Sequence, residues 1–436
     1  MKINKLIIFT CIFIMIGLTI VLNFPKDFYW DSLNYVDLST KFISNSIFNF
    51  KNFPASHRGY LWPLLLFVFQ SFFGTFGFSQ AVSIYIGTTL LYSFVFTFTI
   101  PFVFDEIFGE DMKGTEILLA FLVCVFWTDL LVYPLTDLFG YSLLLMSLAS
   151  VLKCNKSKRK MKLIWAFILG LLTYSLYNVR TMVALVSIFL LICYGFIYTK
   201  GLSKKLLVIS IIFVGFFVAG IPQSLSNVKN FKSYNSMLSI DSFDKKDESL
   251  TLYQLRLGIT IQKYDTVVEN AKLENNGIDT RIIYSSVGVD IVNDNGIDAL
   301  KSYSQYINLV LRNPVQFLKI YWGHFVSYLD VQRGVYVSDL EENLFIKYSN
   351  LLLWFCFSVF VIFDFCKLVT NKKIFKFVFN SKTILLLVMI FPAILTFPGV
   401  PELRFFFAIY MLIYLVLIYK LLVGLKYLRK TYFQVQ

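Results

Sequence analysis

Cysteine is sparse and badly placed for chemistry. Of 436 residues six are cysteine. Cys11, Cys124, Cys193, Cys356 and Cys366 lie within apolar runs and Cys154 in a basic loop, leaving none in the long polar segments. This distribution argues against a disulfide framework, and the spacings suit no zinc site. The N-terminal stretch MKINKLIIFTCIFIMIGLTIVLNF lacks a small-x-small cleavage signature and is long for a signal peptide, so it is expected to stay as a first helix. Internal repeats and low-complexity tracts are absent as well.

Apolar length is what the chain does have. It is 57% hydrophobic, with repeated runs close to the roughly twenty residues that cross a bilayer as a helix. The implied class is an all-α polytopic membrane protein. The aromatic share of 18% suits rings in or beside lipid. The net charge of +13 is gathered in short segments between apolar runs, which sets membrane orientation and does not call for nucleic acid.

Two pieces, 60–78 and 317–329, have the composition either to span or to lie along the surface. Charge decides between the options. With both at the interface, about ten helices remain, and the basic loops 153–162, 200–205, 371–377 and 426–430 all fall in the cytoplasm with both termini. The expected spans are 5–24, 81–104, 116–133, 137–152, 163–179, 181–199, 206–225, 345–368, 383–398 and 404–425. The acidic loop 105–116 then also lies inside, against the trend but of little weight. Outside lie a first loop at 25–80, a corner at 134–137, the YNVRT turn, a region at 226–344 and PGVPELR at 398–404. The organisation is an N-terminal module 1–225, an extracytoplasmic region 226–344 with an interfacial helix, and C-terminal helices with a basic tail, 345–436. Turn signals and apolar content predict that 226–344 folds as a cap.

Ionisable residues at membrane helices are costly and often functional. In this topology Asp31, Asp129, Asp137, Arg180, Glu402 and Arg404 gather at the outer edge, with no comparable set at the midplane where a transporter is expected to bind. In YWDSLNYVDLSTKF, helical spacing puts Asp31, Asn34, Tyr35 and Leu38 on one face, with Asp37 elsewhere. A carboxylate at the water–lipid boundary can take a proton from an attacking hydroxyl or amine; an N-cap aspartate is the plainer reading. His57 and Arg58 precede an aromatic, proline-containing segment. A guanidinium there suits a phosphate, or simply snorkels to headgroups. Thr136 and Asp137, Arg180, and the pair Glu402 and Arg404 each have a helix-end explanation, yet together they outline an acid-plus-cation site.

The order of these motifs resembles the GT-C superfamily of integral membrane glycosyltransferases, in the branch of protein O-mannosyltransferases and lipid A aminoarabinose transferases. WDSLNYVDLSTK is similar to the first-loop pattern of that branch, HRGYLWPLL to its basic residue before a proline-leucine segment, LTDLFGYSLLLMSLA to its Thr-Asp corner and PELRFFFAIYMLIYL to its late Arg-aromatic helix. The usual adjacent prolines are reduced here to Pro63. The resemblance covers residues 1–200 and, more loosely, the last helices.

It implies a GT-C-like bundle that moves a monosaccharide from a polyprenyl-phosphate donor to an acceptor on the extracytoplasmic face, with inversion. Asp31 would be the catalytic base, Asp137 a supporting carboxylate, Arg58 a donor-phosphate contact, and Arg180 and Arg404 further phosphate contacts. No nucleotide cofactor is implied; divalent metal use varies across that superfamily and stays open, as do the sugar and the acceptor. Region 226–344 has no counterpart, and His324, Asp330 and Arg333 are the first candidates there for acceptor contacts. The competing expectations are a polysaccharide polymerase or ligase and a lipid-linked oligosaccharide flippase.

Overall fold

A computed structural model of the protein describes residues 4–25, 27–44, 47–50, 53–54, 58–112, 114–180, 201–236, 238, 248–268, 278–331, 336–337, 344–370 and 381–435. Among them seven helices are long and apolar enough to cross a membrane: Lys5–Leu22, Gln80–Phe108, Thr136–Cys154, Arg159–Val179, Leu202–Asn230, Leu344–Lys367 and Leu403–Leu428. They match seven of the expected spans, which makes this a multi-pass membrane protein by helix length and composition. The expected span 383–398 is the shorter apolar helix Leu386–Thr396, and 181–199 lies outside the described residues. Helix Leu61–Gly74 has 14 residues and is about 21 Å long, too short to span. Glycines set the crossing of helices Arg159–Val179 and Leu202–Phe231: a Cβ on Gly170 would meet the Ile212 carbonyl oxygen at 2.0 Å, and one on Gly215 the Phe167 oxygen at 2.3 Å. Small residues let two membrane helices approach in this way.

The run 116–133 is not one helix. Helix Glu116–Phe126 ends at Trp127 (φ −132°, ψ 34°), and a short turn of helix, Thr128–Val132, follows. Trp127 is fully buried, its ring nitrogen donating to the Tyr414 hydroxyl at 3.2 Å. Pro134 then disfavours helix in the residue before it, and Tyr133 is extended (φ −100°, ψ 130°). The polar pair Thr128 and Asp129 sits at this break and is itself buried.

A second irregularity has a visible cause. Helix Gln80–Phe108 widens to π geometry over Val95–Thr99. Pro101 has no N–H to offer the carbonyl of Thr97 four residues back, and the Lys5 ammonium donates to that oxygen at 3.4 Å. Lys5 also pairs with Glu116 at 2.6 Å. The acidic loop that ran against the charge trend is accounted for in the same way. Glu106 pairs with Lys156 at 2.5 Å and Glu110 with Lys426, so its carboxylates sit among the basic segments at one end of the bundle.

The opposite end carries the region after the long helix Leu202–Phe231, which runs six residues past the expected boundary at 225. This region has its own small core of Leu252, Ile259, Ile291, Leu300, Phe317 and Ile320. Buried Glu248 holds it together, bonding Arg256 through both carboxylate oxygens at 3.0 to 3.1 Å and the Leu300 N–H at 2.7 Å. Strand Ile261–Val268 pairs antiparallel with Ile278–Tyr284 and parallel with Tyr336–Val337. Helix Pro314–Tyr328 leaves Val315, Leu318, Trp322 and Val326 exposed at three- and four-residue spacing, continuing Tyr303, Ile307 and Leu311 of the preceding helix. Such an apolar stripe suits a helix lying in the headgroup boundary.

Candidate functional site

The helix after the first membrane helix, Trp30–Thr40, starts where the Tyr29 N–H donates to the Ser32 hydroxyl at 3.0 Å. Asp31 thus lies in the first turn, where the helix dipole favours a negative charge. Tyr35, one turn on, is buried, while Asp37 is exposed. Arg58 approaches from the next segment: it donates to Asp31 Oδ1 at 2.5 Å, and its guanidinium lies 4.9 Å from the centre of the Tyr35 ring.

Position 58 is held on both sides. A Cβ on Gly59 would meet the Asn178 carbonyl oxygen at 1.9 Å, so only glycine fits this approach. The Leu61 N–H donates to the Asn178 side chain at 2.8 Å, and the Trp62 ring nitrogen to the Pro134 carbonyl at 2.8 Å. Trp62 also stacks on Phe139 at 4.6 Å. Asn178 in turn donates to Gln223 at 3.1 Å, which donates to Asn227 at 3.0 Å. A buried chain of amides therefore ties the start of helix Leu61–Gly74 to the ends of two membrane helices.

Asp137 opens the helix that follows the 134–137 corner and is 4% exposed. Its Oδ1 pairs with Arg180, the residue that caps helix Arg159–Val179. Arg404 completes the cluster as its hub. Its Nη1 lies 3.0 Å from Asp31 Oδ2 and 3.8 Å from Asp137 Oδ2, and its Nε donates to Glu402 Oε2 at 2.6 Å. The Phe405 ring lies between two guanidiniums, 5.2 Å from Arg180 and 5.3 Å from Arg404. A cleft of about 20 Å³ with room for a water-sized group adjoins Asp137, Tyr141, Arg180, Pro392, Arg404 and Phe405. Three arginines thus face three carboxylates, so the cluster is balanced in formal charge.

That balance sorts the acids. Burial raises the Asp31 carboxyl, but Arg404 and Arg58 together outweigh it and hold it well below the usual carboxylate range. Glu402 goes the other way: burial pushes it up, and Asp31 and Asp137 add to that against the pull of Arg404. A third participant was not legible in the sequence. Tyr264, on strand Ile261–Val268, forms a parallel backbone bridge with Glu402. Burial raises its phenol, and Glu402 and Asp31 raise it further against Arg404. One tyrosine in a mixed-charge segment carries no periodic signal that marks it.

Asp31, Arg58, Asp137, Arg180, Glu402 and Arg404 are therefore brought to one place, with Tyr35 beside Arg58. His57 and Arg333 lie outside the described residues. His324 is elsewhere: buried on helix Pro314–Tyr328, its ring nitrogens face the Phe397 carbonyl at 3.1 Å and the Ile261 carbonyl at 2.9 Å. Burial lowers its basicity against those carbonyls, and it ties helix Pro314–Tyr328 to strand Ile261–Val268 and to Phe397. Asp330 is also separate, pairing with Lys263 at 2.6 Å and Lys347 at 3.7 Å. No protein-family model, curated protein or solved structure matches this chain.

Proposed function

We propose that the protein is a GT-C-like membrane glycosyltransferase. It would take a monosaccharide from a polyprenyl-phosphate donor and pass it, with inversion, to an acceptor on the extracytoplasmic face. The observation that carries this reading is the convergence of Arg58, Arg180 and Arg404 with Asp31, Asp137 and Glu402 at the end of the bundle away from the basic loops. A donor anchored in lipid never leaves the membrane, so its site must meet both lipid and water, and a cluster at the helix ends does. The arginines stabilise the departing polyprenyl phosphate, where charge develops in the transition state. Asp31 activates the incoming nucleophile once the phosphate has drawn the arginines away from it, and Asp137 keeps Arg180 aimed at the same place.

The donor assay is direct. Purified protein in detergent, given a synthetic polyprenyl-phosphate sugar, should release polyprenyl phosphate, and D31N should not. A polymerase or ligase with its site in the late outer loop would keep working in D31N. A lipid-linked oligosaccharide flippase would release nothing, and that result ends the proposal.

A further inference from the structure

Helix Thr136–Lys156 turns two polar side chains toward the small cleft beside Arg180 and Arg404, and the ion pairs of the cluster leave both of them partly unused. Asp137 and Tyr141 stand four residues apart, on one face of that helix, and both line the cleft. Asp137 is 4% and Tyr141 6% exposed. Asp137 Oδ1 is taken by Arg180, whereas Oδ2 accepts no hydrogen bond among the described residues, with Arg404 Nη1 standing off at 3.8 Å. The Tyr141 hydroxyl is likewise buried with no hydrogen-bond partner among them. Its ring is fixed in place by Phe407, edge to face with centres 5.5 Å apart. Buried polar atoms are nearly always hydrogen-bonded, yet here one acceptor and one donor share a cleft of about 20 Å³.

The group these two atoms suit is defined by their chemistry. It must donate to a carboxylate oxygen, accept from a phenol, and be about the size of one water. A phosphate oxygen has no proton to give Asp137 and carries the charge that Oδ2 repels. A metal cation would sit against the guanidiniums of Arg180 and Arg404, which line the same cleft. A neutral hydroxyl satisfies both partners. We propose that the cleft receives one hydroxyl of the donor's sugar, which donates to Asp137 Oδ2 and accepts from the Tyr141 hydroxyl. The inference rests on the glycosyl-transfer reading and deepens it. Arg180 and Arg404 are the phosphate contacts of that reading, and the donor's sugar is bonded directly to the phosphate, so a sugar hydroxyl is within reach of the cleft. Asp137 then serves with both oxygens, Oδ1 holding Arg180 and Oδ2 reading the sugar, and Tyr141 becomes a specificity contact. The donor class follows from the size of the cleft. The sugar carries a free hydroxyl at the position that enters, since about 20 Å³ leaves no room there for an acetamido or ester substituent.

Three readouts on the detergent-solubilised full chain test the assignment. Because the Tyr141 hydroxyl bonds nothing among the described residues, Y141F should unfold at the denaturant concentration of the wild type or a higher one. Y141F should also bind polyprenyl phosphate alone as the wild type does, followed by tryptophan fluorescence. Release of polyprenyl phosphate is then measured from polyprenyl-phosphate glucose, mannose and galactose, and from each monodeoxy analogue of the best of them. In the wild type one deoxy position should cost about 100-fold or more in kcat/KM, because the analogue leaves buried polar groups unpaired. Y141F should lose about 10-fold with the parent sugar and most of its discrimination against that one analogue, while treating the other analogues as the wild type does. If every monodeoxy donor turns over like its parent, the cleft takes no more than a water and the inference falls. If Y141F binds polyprenyl phosphate more weakly, Tyr141 meets the phosphate and not the sugar. If Y141F loses stability and keeps its discrimination, Tyr141 is a packing residue. Should the wild type release polyprenyl phosphate from none of these donors, the glycosyl-transfer reading itself fails, whereas release without discrimination sinks the sugar contact alone.

Discussion

Replacing Arg404 with glutamine removes the one cation among the described residues that reaches all three acids of the cluster. It deletes a charged contact of 3.0 Å to Asp31 and a charged hydrogen bond of 2.6 Å to Glu402, and it takes the charge 3.8 Å from Asp137. Charged hydrogen bonds contribute about 1.5–3 kcal/mol each, and leaving a partly buried ion without its partner costs about 3–5 kcal/mol. We expect R404Q to lose about 3–5 kcal/mol at pH 7. The pH dependence is more diagnostic than the size. Arg404 opposes the upward pull of burial on both Asp31 and Glu402. Without it both folded-state ionisations move upward, so the folded variant takes up protons on acidification that the wild type does not. The deficit of R404Q should therefore shrink as the pH falls from 7 to 5. R404Q/E402Q, with one acid fewer, should recover about 1 kcal/mol or more relative to additivity. Chemical unfolding in detergent at three pH values measures all of this. A loss below about 1 kcal/mol, or a deficit that grows on acidification, would refute the hub role of Arg404.

Two further outcomes follow from packing. G170A drives a methyl against the Ile212 carbonyl oxygen at 2.0 Å, so it should lower stability by about 1–3 kcal/mol, whereas G17A, with nothing within 4 Å, should not lower it. The exposed stripe of Leu318 and Trp322 predicts that L318E/W322E leaves the protein folded in detergent but weakens its Trp quenching by bromolipids in vesicles; unchanged quenching would remove that helix from the interface.

The site was legible through charge rather than through local pattern. Asp31 and Arg404 are far apart along the chain, and no spacing rule joins them; placing each at a helix end on one side of the membrane did. What the sequence leaves unread is pairing. Nothing in HRGYLWPLL tells that Arg58 bonds Asp31, and the single acid Glu402 looked like one more helix-end anchor. Lys5 and Glu116 were hidden more deeply: they pair across two helices far apart in the chain, and Lys5 also reaches the Thr97 carbonyl of a third. The break at Trp127 was missed for a different reason: Thr128 and Asp129 interrupt the run there, but the long apolar stretches on either side read as one continuous span. His324 and Asp330 drew notice as ionisable groups in an unmatched region, and their chemistry serves the docking of that region.

The account depends on which way the cluster faces. Asn34 is exposed one turn from Asp31, and Lys158 is exposed among the basic residues at the far end. In a background without native cysteines, N34C should react with a membrane-impermeant maleimide on intact cells, and K158C only after the membrane is opened. Labelling of K158C from outside with N34C protected would put the arginines and carboxylates in the cytoplasm, where no lipid-linked sugar displayed outward could meet them.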